Sequence, residues 1–321
     1  MIRNLLFALI LLPFTGDAQV QLGPMINSGQ LPLLTDSIQP FTPYLDSTSA
    51  FMDGGFQVGD VVDDFILFDT ASNPHQLSQI LNNGKPVFLT TGSWSCPAYR
   101  YAMDQVIPDL VAMFGTQVVF MNVYQLEAHP LGPDVSPFTG TIYTTSQNFT
   151  DSVLLTQHRT YADRRSDAIA SVASLGSPCK LVLDGPGNEF WSSYGPSPNN
   201  AYLITRDGWV FSKYGWLSQS KPQAILDINM LLNTAGVTEH HDASWLVPMM
   251  NPGNESTVLT SIAPKLCRVR VTDIQGNIVL EQDLQPGASI ALGAGLPSEG
   301  VYLVAILAED HSEQFRFVKA Q

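Results

Sequence analysis

The segment from Leu89 to Leu110 contains one cysteine, Cys96, whose position could give a reactive thiol. An apolar run typical of a buried strand precedes it, and Pro97 follows it, a residue favoured at the first position of a helix. The N-terminus of a helix stabilises the thiolate, which is the nucleophilic form of cysteine. We therefore predict a lowered pKa for Cys96. The alternative is an inert, buried thiol, the ordinary state of a free cysteine.

A carboxylate and an imidazole follow a second buried strand, Thr116–Gln125. Glu127 and His129 come just after its end, and ligand sites of α/β sheets collect at the carboxyl edge. His129 could exchange a proton near neutral pH, and Glu127 could orient it. A solvated pair of loop residues is the alternative interpretation.

The chain has three cysteines, which is too few for a disulfide scaffold. Cys179 is a possible resolving thiol that could form a disulfide with Cys96, although a buried structural cysteine fits its position as well. Cys267 lies in a different part of the chain, and we interpret it as structural.

Arg164 could bind a carboxylate or an anionic substrate, although an arginine beside Asp163 and Asp167 is also typical of an exposed helix face. The one dense cluster of metal-ligating residues, His240 to Asp242, lacks a second ligand pair at zinc-like spacing. We therefore predict no metal site. The sequence contains no glycine-rich phosphate loop and no nucleophile-elbow motif.

The composition limits the partners that this chain could bind. Its 321 residues carry a net charge of −14, from 15 Lys and Arg against 29 Asp and Glu, and 45% are hydrophobic. A sizeable core can form, and the absence of a basic stripe argues against nucleic acid as a partner. We expect a small-molecule substrate.

The elements that must position these residues alternate along the chain. Apolar runs and helical periodicity predict strand, helix, strand, helix, β-hairpin and helix, an α/β domain over residues 57–236. The hairpin turns at Asp207-Gly208, and a helix is predicted over Tyr161–Leu175. Pro108 should bend or break the helix that follows Cys96.

The two ends of the chain differ from this domain. Residues 1–18 have the charge, apolar core and small residues of a secretory signal peptide, and residues 19–56 form a linker or irregular arm. A linker over residues 237–245 precedes short β-type runs over residues 246–321, which predict a small all-β sandwich module.

The α/β domain resembles thioredoxin-fold proteins and, among them, the iodothyronine deiodinase-like family. Cys96 falls on the selenocysteine position of that family's motif, and Pro198 falls on the thioredoxin-fold cis-proline. The resemblance spans residues 57 to about 236 and rests on these positions: Gly92–Pro97, Val123-Tyr124, Glu127–Pro130, Arg164, Ala168, Asp184-Gly185, Asn188, Tyr194-Gly195, Pro198, Tyr202–Ile204 and Asp207-Gly208.

The resemblance implies Cys96 as nucleophile, with Glu127 and His129 completing the catalytic set. Trp94, Tyr99, Arg164 and Pro198 are candidates for the substrate pocket. Trp94 replaces a cysteine of the family, and Tyr99 stands where thioredoxins carry their resolving cysteine. The segment Leu131–Phe138 also departs from the family pattern. We therefore expect an external thiol reductant and no bound cofactor.

Roughly the last 75 residues resemble the C-terminal sorting domain of the type IX secretion system of Bacteroidetes. The match rests on Asn251–Ser256, Val269–Val279, Gly300–Ile306 and Arg316–Lys319. It implies the type IX machinery as a partner and a secreted or cell-surface protein that passes through the periplasm of a Gram-negative bacterium.

The leading hypothesis is an exported thiol redox enzyme in which Cys96 attacks an oxidised or halogenated atom of its substrate. A one-cysteine peroxidase of the redoxin type is the second hypothesis. The third is a non-catalytic binding protein that retains the thioredoxin-like fold.

Overall fold

A computed structural model describes residues 20–45, 51–196, 198–234, 255–261, 263–273, 276–308 and 312–319. The predicted signal peptide, the 237–245 linker and the His240–Asp242 cluster lie outside these ranges. The chain divides into two compact units, residues 1–225 and 226–321. Within the described ranges, no helix has the length and apolar character needed to cross a membrane.

The first unit is built on a seven-stranded mixed sheet. Strands β1 and β2 form a separate pair, and the seven strands β3 to β9 follow. Their bounds are β1 Gly23–Met25, β2 Asp63–Asp64, β3 Ile66–Asp69, β4 Pro74–Gln76, β5 Val87–Gly92, β6 Val119–Tyr124, β7 Lys180–Leu183, β8 Ala201–Ile204 and β9 Val210–Tyr214. The helices are α1 Leu77–Leu81, α2 Pro97–Tyr101, α3 Ile107–Phe114, α4 Ser146–Thr150, α5 Tyr161–Leu175, α6 Glu189–Ser193 and α7 Lys221–Thr234, of which α7 contains the boundary between the two units.

The order of the strands places β5 among the central strands of the sheet, next to the middle strand β6. The order is β4-β3-β7-β6-β5-β8-β9, with β5, β6 and β7 parallel and β8 antiparallel to β5. Every residue of β5 is buried, as expected for a strand covered on both faces. A β-α-β unit followed by an antiparallel hairpin and a helix is the thioredoxin-like arrangement, so the predicted fold is confirmed.

The helical segment after β5 is interrupted before Pro108, as predicted. A π-helical turn over Ala102–Val106 separates α2 from α3, and the Ile107 N–H donates to the carbonyl of Ala102, five residues earlier. Pro108 has no N–H to donate, so the helix widens just before it instead of ending.

Residues 20–45 form an arm that packs along the first unit. Strand β1 pairs in parallel with β2, and Asn27 exchanges hydrogen bonds with the backbone of Ile66 at 2.8 and 3.2 Å. The side chains of Val20, Leu22 and Ile26 pack against the hydrophobic core of the sheet. This segment therefore contributes apolar burial to the α/β domain.

The second unit contains two β-sheets, so the predicted C-terminal β strands are present. Its four-stranded antiparallel sheet has the order β12-β11-β14-β15, and β10 pairs with β13. Residues from both sheets share one hydrophobic cluster, which includes Leu259, Val269, Ile290 and Phe317. The remaining bounds are β10 Leu259–Thr260, β11 Cys267–Thr272, β12 Ile278–Leu284, β13 Ser289–Ile290, α8 Leu292–Gly295, β14 Gly300–Leu307 and β15 Ser312–Lys319.

Candidate active site

Cys96 lies at the N-terminal end of α2, in the turn that follows the central strand β5. It is the N-cap residue of that helix, and its backbone N–H donates to the carbonyl of Ser93 at 3.1 Å. The backbone N–H of Tyr99 points at the Cys96 sulfur, with an N···Sγ distance of 3.5 Å. The predicted position at a helix start is therefore correct.

The predicted direction of the Cys96 pKa is wrong in this structure. The residue is only 1% exposed, and burial raises the pKa of the thiol to about 11. The N–H groups of Tyr99 and Ala98 and the charge of Arg100 lower the pKa, but their effect is smaller than that of burial. A thiolate at this position loses more hydration than the first turn of the helix replaces.

The rate of Cys96 alkylation by iodoacetamide is accordingly expected to rise about tenfold per pH unit and to reach half of its maximum near pH 11. At pH 7 about one thiol in 10⁴ would be ionised, because the pH lies about four units below the pKa. Peptide mapping by mass spectrometry distinguishes Cys96 from Cys179 and Cys267. The urea-unfolded chain is the control, with a midpoint near ~8.5. A midpoint at or below 8.5 in the folded protein would contradict this prediction.

Glu127 is fully buried and hydrogen-bonded beside the Cys96 turn. Its carboxylate accepts from the Ser95 N–H at 2.9 Å and from the hydroxyl of Tyr124, while His158 Nε2 lies 3.4 Å away. Burial alone would raise the pKa of Glu127, but contact with His158 and the bonds from Ser95 and Tyr124 lower it. The alternative of a solvated loop pair is therefore wrong for Glu127.

The two serines of the turn bind the loop that carries His129. The Ser93 hydroxyl accepts from the Ala128 N–H at 2.9 Å, and the Ser95 hydroxyl accepts from the His129 N–H at 3.0 Å. The structure thus brings Cys96, Glu127 and His129 into one site, because Ser95 is next to the cysteine and bonds to both other residues.

The His129 ring is largely buried and packs edge-on against Tyr143, with 4.9 Å between the ring centroids. Burial lowers the pKa of His129 to about 4, so the imidazole is neutral at pH 7. The expectation that the His129 imidazole titrates near neutral pH is therefore wrong for this structure. A neutral ring still offers one N–H donor and one acceptor.

Tyr99 fills the space next to β5 on the side of the sheet that carries α2. A Cβ atom built on Gly92 would lie 2.2 Å from Cδ2 of the Tyr99 ring, so this close contact requires glycine. The Tyr99 hydroxyl accepts from Nδ2 of Asn122 at 2.6 Å. Its side chain is 1% exposed and reaches the neighbouring strand.

Trp94 and Arg100 pack on another side of the turn that contains Cys96. The Trp94 ring packs against a cluster that includes Tyr124 and Tyr161. The Arg100 guanidinium donates to the Trp94 carbonyl at 2.8 Å, to Asn148 Oδ1 at 3.0 Å and to Asp151 Oδ2 at 2.8 Å. Arg100 therefore joins α2 to the segment around α4.

Arg164 is buried and holds the loop after β7. Its guanidinium donates to the carbonyls of Asp184 and Gly185 at 2.9 and 2.7 Å and to Asn188 Oδ1 at 2.6 Å. The residue is 0% exposed, so the alternative of an exposed helix arginine is wrong. Its two terminal nitrogens meet protein acceptors, whereas the buried Nε has no hydrogen-bond partner among the described residues. A role in the substrate pocket remains a prediction.

Pro198 is buried near the end of β5, two residues before Asn200, whose carbonyl accepts from the Thr91 N–H at 3.0 Å. The peptide bond before Pro198 includes Ser197, which lies outside the described residues. Its cis geometry therefore remains a prediction.

Cys96 and Cys179 are both free thiols. Cys179 lines a pocket of about 10 Å³ together with Tyr99, Asn122 and Ser171, which is at the lower limit for one water molecule. Burial raises the pKa of Cys179 to about 11. The Tyr99 side chain thus contacts the surroundings of Cys179, while its backbone contacts Cys96.

Sequence reasoning missed three residues of the site, Tyr124, His158 and Arg100. Tyr124 belonged to the matched family positions but received no role of its own. His158 and Arg100 come close to the other site residues only when the chain folds. In the sequence, the available signal was that both are polar residues close to a helix end.

Part of the chain matches one known protein family by sequence. Residues 61–215 match the sequence model of the family described as iodothyronine deiodinase. None of the curated proteins matches the chain significantly.

Solved structures with similar folds are distant in sequence. A thiol:disulfide interchange protein from Bacteroides sp. is 12% identical, with a TM-score of 0.36 over 58% of this chain and 97% of the other. A secreted disulfide oxidoreductase from Mycobacterium tuberculosis is 12% identical, with a TM-score of 0.35 over 52% and 96%. Peroxidoxin BcpB from the same organism is 14% identical, with a TM-score of 0.35 over 54% and 97%.

Proposed function

We propose that this protein is a thiol-dependent redox enzyme that removes a halogen reductively from a small organic substrate, with Cys96 as nucleophile. The match to the deiodinase family over residues 61–215 supports this class of reaction. The observation that carries the proposal is the Cys96 turn, where Ser95 connects the thiol at a helix start to Glu127 and His129.

In the first step, the Cys96 sulfur attacks the halogen of a carbon–halogen bond. A sulfur–halogen bond forms, the carbon–halogen bond breaks, and the carbon takes up a proton. His129 and Glu127 are the groups proposed to manage that proton. The substrate carbon is reduced, and Cys96 is left as a sulfenyl halide.

An external thiol must complete the cycle. The first reductant molecule displaces halide from Cys96 and forms a mixed disulfide, with release of a proton. A second molecule releases the Cys96 thiol and leaves as the disulfide of the reductant. Each turnover thus consumes two thiol groups of the reductant. The proposed reaction uses no bound cofactor. Trp94, Tyr99, Arg164 and Pro198 remain the proposed substrate-pocket residues.

Mass spectrometry of Cys96 after exposure to a halogenated phenol, together with detection of the dehalogenated product, tests this function. We expect product formation that depends on added dithiothreitol, at two thiols per halide released. Oxidation of Cys96 by peroxide without any dehalogenation would favour the one-cysteine peroxidase instead. An unmodified Cys96 under both treatments would favour the non-catalytic binding protein.

Tyr99→Cys is expected to shorten the lifetime of a Cys96 adduct by at least about tenfold, because a thiol one helical turn away attacks it intramolecularly. The measurement is single-turnover recovery of the free Cys96 thiol without added small thiol. Tyr99→Phe is the matched control, since it keeps the ring and adds no sulfur. If the wild type recovers as fast as Tyr99→Cys, a residue of the chain already resolves the adduct, and Cys179 would be the first suspect.

Export is part of this proposal, with the type IX machinery as partner and a secreted or cell-surface destination through the periplasm. The apolar N-terminus and the resemblance of roughly the last 75 residues to a sorting domain support it. N-terminal sequencing of the protein from the extracellular fraction should start at Gln19. Recovery of the chain with Met1 intact from the cytoplasm would contradict export.

A further inference from the structure

We propose that Glu127, His158 and Asp167 form a binding site for a divalent transition-metal ion, with Zn²⁺ as the best fit. The three side chains come from different parts of the chain. Glu127 follows β6, His158 precedes α5, and Asp167 lies in the second turn of α5. The redox chemistry proposed for Cys96 does not require this ion, although both proposals assign a role to Glu127.

The distances between the ligand atoms fit a tetrahedral ion. His158 Nε2 lies 3.4 Å from Glu127 Oε1 and 3.4 Å from Asp167 Oδ2, and the three atoms lie within 4.8 Å of one another. Zinc binds nitrogen and oxygen ligands at about 2.0–2.2 Å, so neighbouring ligands of a tetrahedral site are about 3.4 Å apart. Both histidine distances have this value.

The same distances are long for hydrogen bonds, which are usually 2.7–3.2 Å between heavy atoms. His158 is 3% exposed, and within the described part of the chain neither of its ring nitrogens makes a hydrogen bond. A single Nε2–H could also serve only one of the two carboxylates. The ring nitrogen is therefore aimed between two acceptors with its hydrogen-bonding capacity unused.

The charges of the two carboxylates also favour a bound cation. The side chains of Glu127 and His158 are fully buried, and that of Asp167 is 25% exposed. The two carboxylates of this partly buried cluster repel each other, and a divalent ion would neutralise both. The partial exposure of Asp167 gives the ion a route from solvent and leaves room for a water molecule as fourth ligand.

Neighbouring groups already orient the Glu127 carboxylate. The Tyr124 hydroxyl donates to Oε1, and the Ser95 N–H donates to Oε2 at 2.9 Å. A carboxylate oxygen has lone pairs for both a hydrogen bond and a metal, and such orienting bonds are typical around metal ligands. A nitrogen ligand with two carboxylates suits Zn²⁺ better than Mg²⁺ or Ca²⁺, which prefer oxygen alone.

Titration of the full-length protein, freed of metal by chelator, with Zn²⁺ in a calorimeter tests the site. We expect wild type to bind one equivalent that His158→Gln and Asp167→Asn each weaken by at least about 100-fold. His75→Gln is the matched control, because His75 pairs with Asp69 at 3.0 Å in an ordinary hydrogen bond. Its zinc binding should equal that of wild type.

Co²⁺ provides a second measurement that needs no variant of the site. Tetrahedral Co²⁺ should give strong visible d–d bands in wild type, without the near-ultraviolet charge transfer of thiolate ligands, and Cys96→Ser should leave the spectrum unchanged. Thiolate bands, or equal zinc affinity in wild type and His158→Gln, would place the ion elsewhere and overturn the proposal.

Failure of wild type to bind Zn²⁺ and Co²⁺ would also overturn it, and direct contacts of His158 with the two carboxylates would then account for the cluster. If either substitution prevents folding, the wild-type Co²⁺ spectrum decides. Neither measurement uses a substrate, so a failure of the proposed redox function leaves this result unaffected.

Discussion

Cys96→Ser is expected to lower the rate of thiol-dependent dehalogenation by at least ~1000-fold, because a serine hydroxyl cannot form the sulfur–halogen intermediate. The measurement is halide release from a halogenated phenol with excess dithiothreitol. Serine has the same branching as cysteine and a smaller terminal atom, so it fits the buried turn without steric overlap. The thermal midpoint of the variant should therefore stay close to that of wild type.

Cys179→Ser is the matched control for this loss, since Cys179 is also a free thiol and its pKa is likewise raised to about 11. It should retain most of the activity, because an external thiol resolves the intermediate. Equal activity of Cys96→Ser and wild type would rule out Cys96 as the nucleophile. A large loss in Cys179→Ser would instead show that Cys179 takes part in turnover.

Arg164→Leu is expected to lower the free energy of unfolding by about 3 kcal/mol, the largest effect on stability that we predict for a single substitution. The change leaves the carbonyls of Asp184 and Gly185 and the side chain of Asn188 without their buried donor. Urea denaturation followed by tryptophan fluorescence measures it, with an unchanged slope and a lower midpoint.

Arg159→Leu is the control for removal of an arginine from the same region. Arg159 pairs with Asp134, but its side chain is 69% exposed, and exposed pairs contribute about 0–1 kcal/mol. The urea midpoint of the Arg159→Leu variant should stay near that of wild type. Equal stability of the Arg164→Leu variant and wild type would show that the loop after β7 finds other donors.

The backbone elements of the α/β domain could be predicted because their signals are local. Helix α5 was predicted over Tyr161–Leu175, and it has those bounds. Its start is marked by a capping box between Thr160 and Asp163, and its end by Gly176 in the left-handed conformation. Each of these signals lies within a few residues of the position that it determines.

The electrostatics of the site could not be predicted in the same way. The helix start predicted a lower pKa for Cys96, but its environment is set by distant residues such as Tyr99 and Glu127, which pack over it in the folded chain. Likewise, His158 reaches Glu127 across 31 positions of sequence. No periodicity or motif in one sequence reports such contacts.

The burial of Cys96 at 1% exposure has a consequence for how the protein survives oxidising conditions. A small oxidant such as peroxide gains almost no binding energy on approach and meets a covered, protonated sulfur. A larger ligand can contact the side chains that cover the Cys96 sulfur and displace them. It therefore reaches a thiol that the small molecule does not reach. For the proposed redox reaction, this burial favours reactants that contribute binding energy of their own and shields the thiol from irreversible oxidation between turnovers.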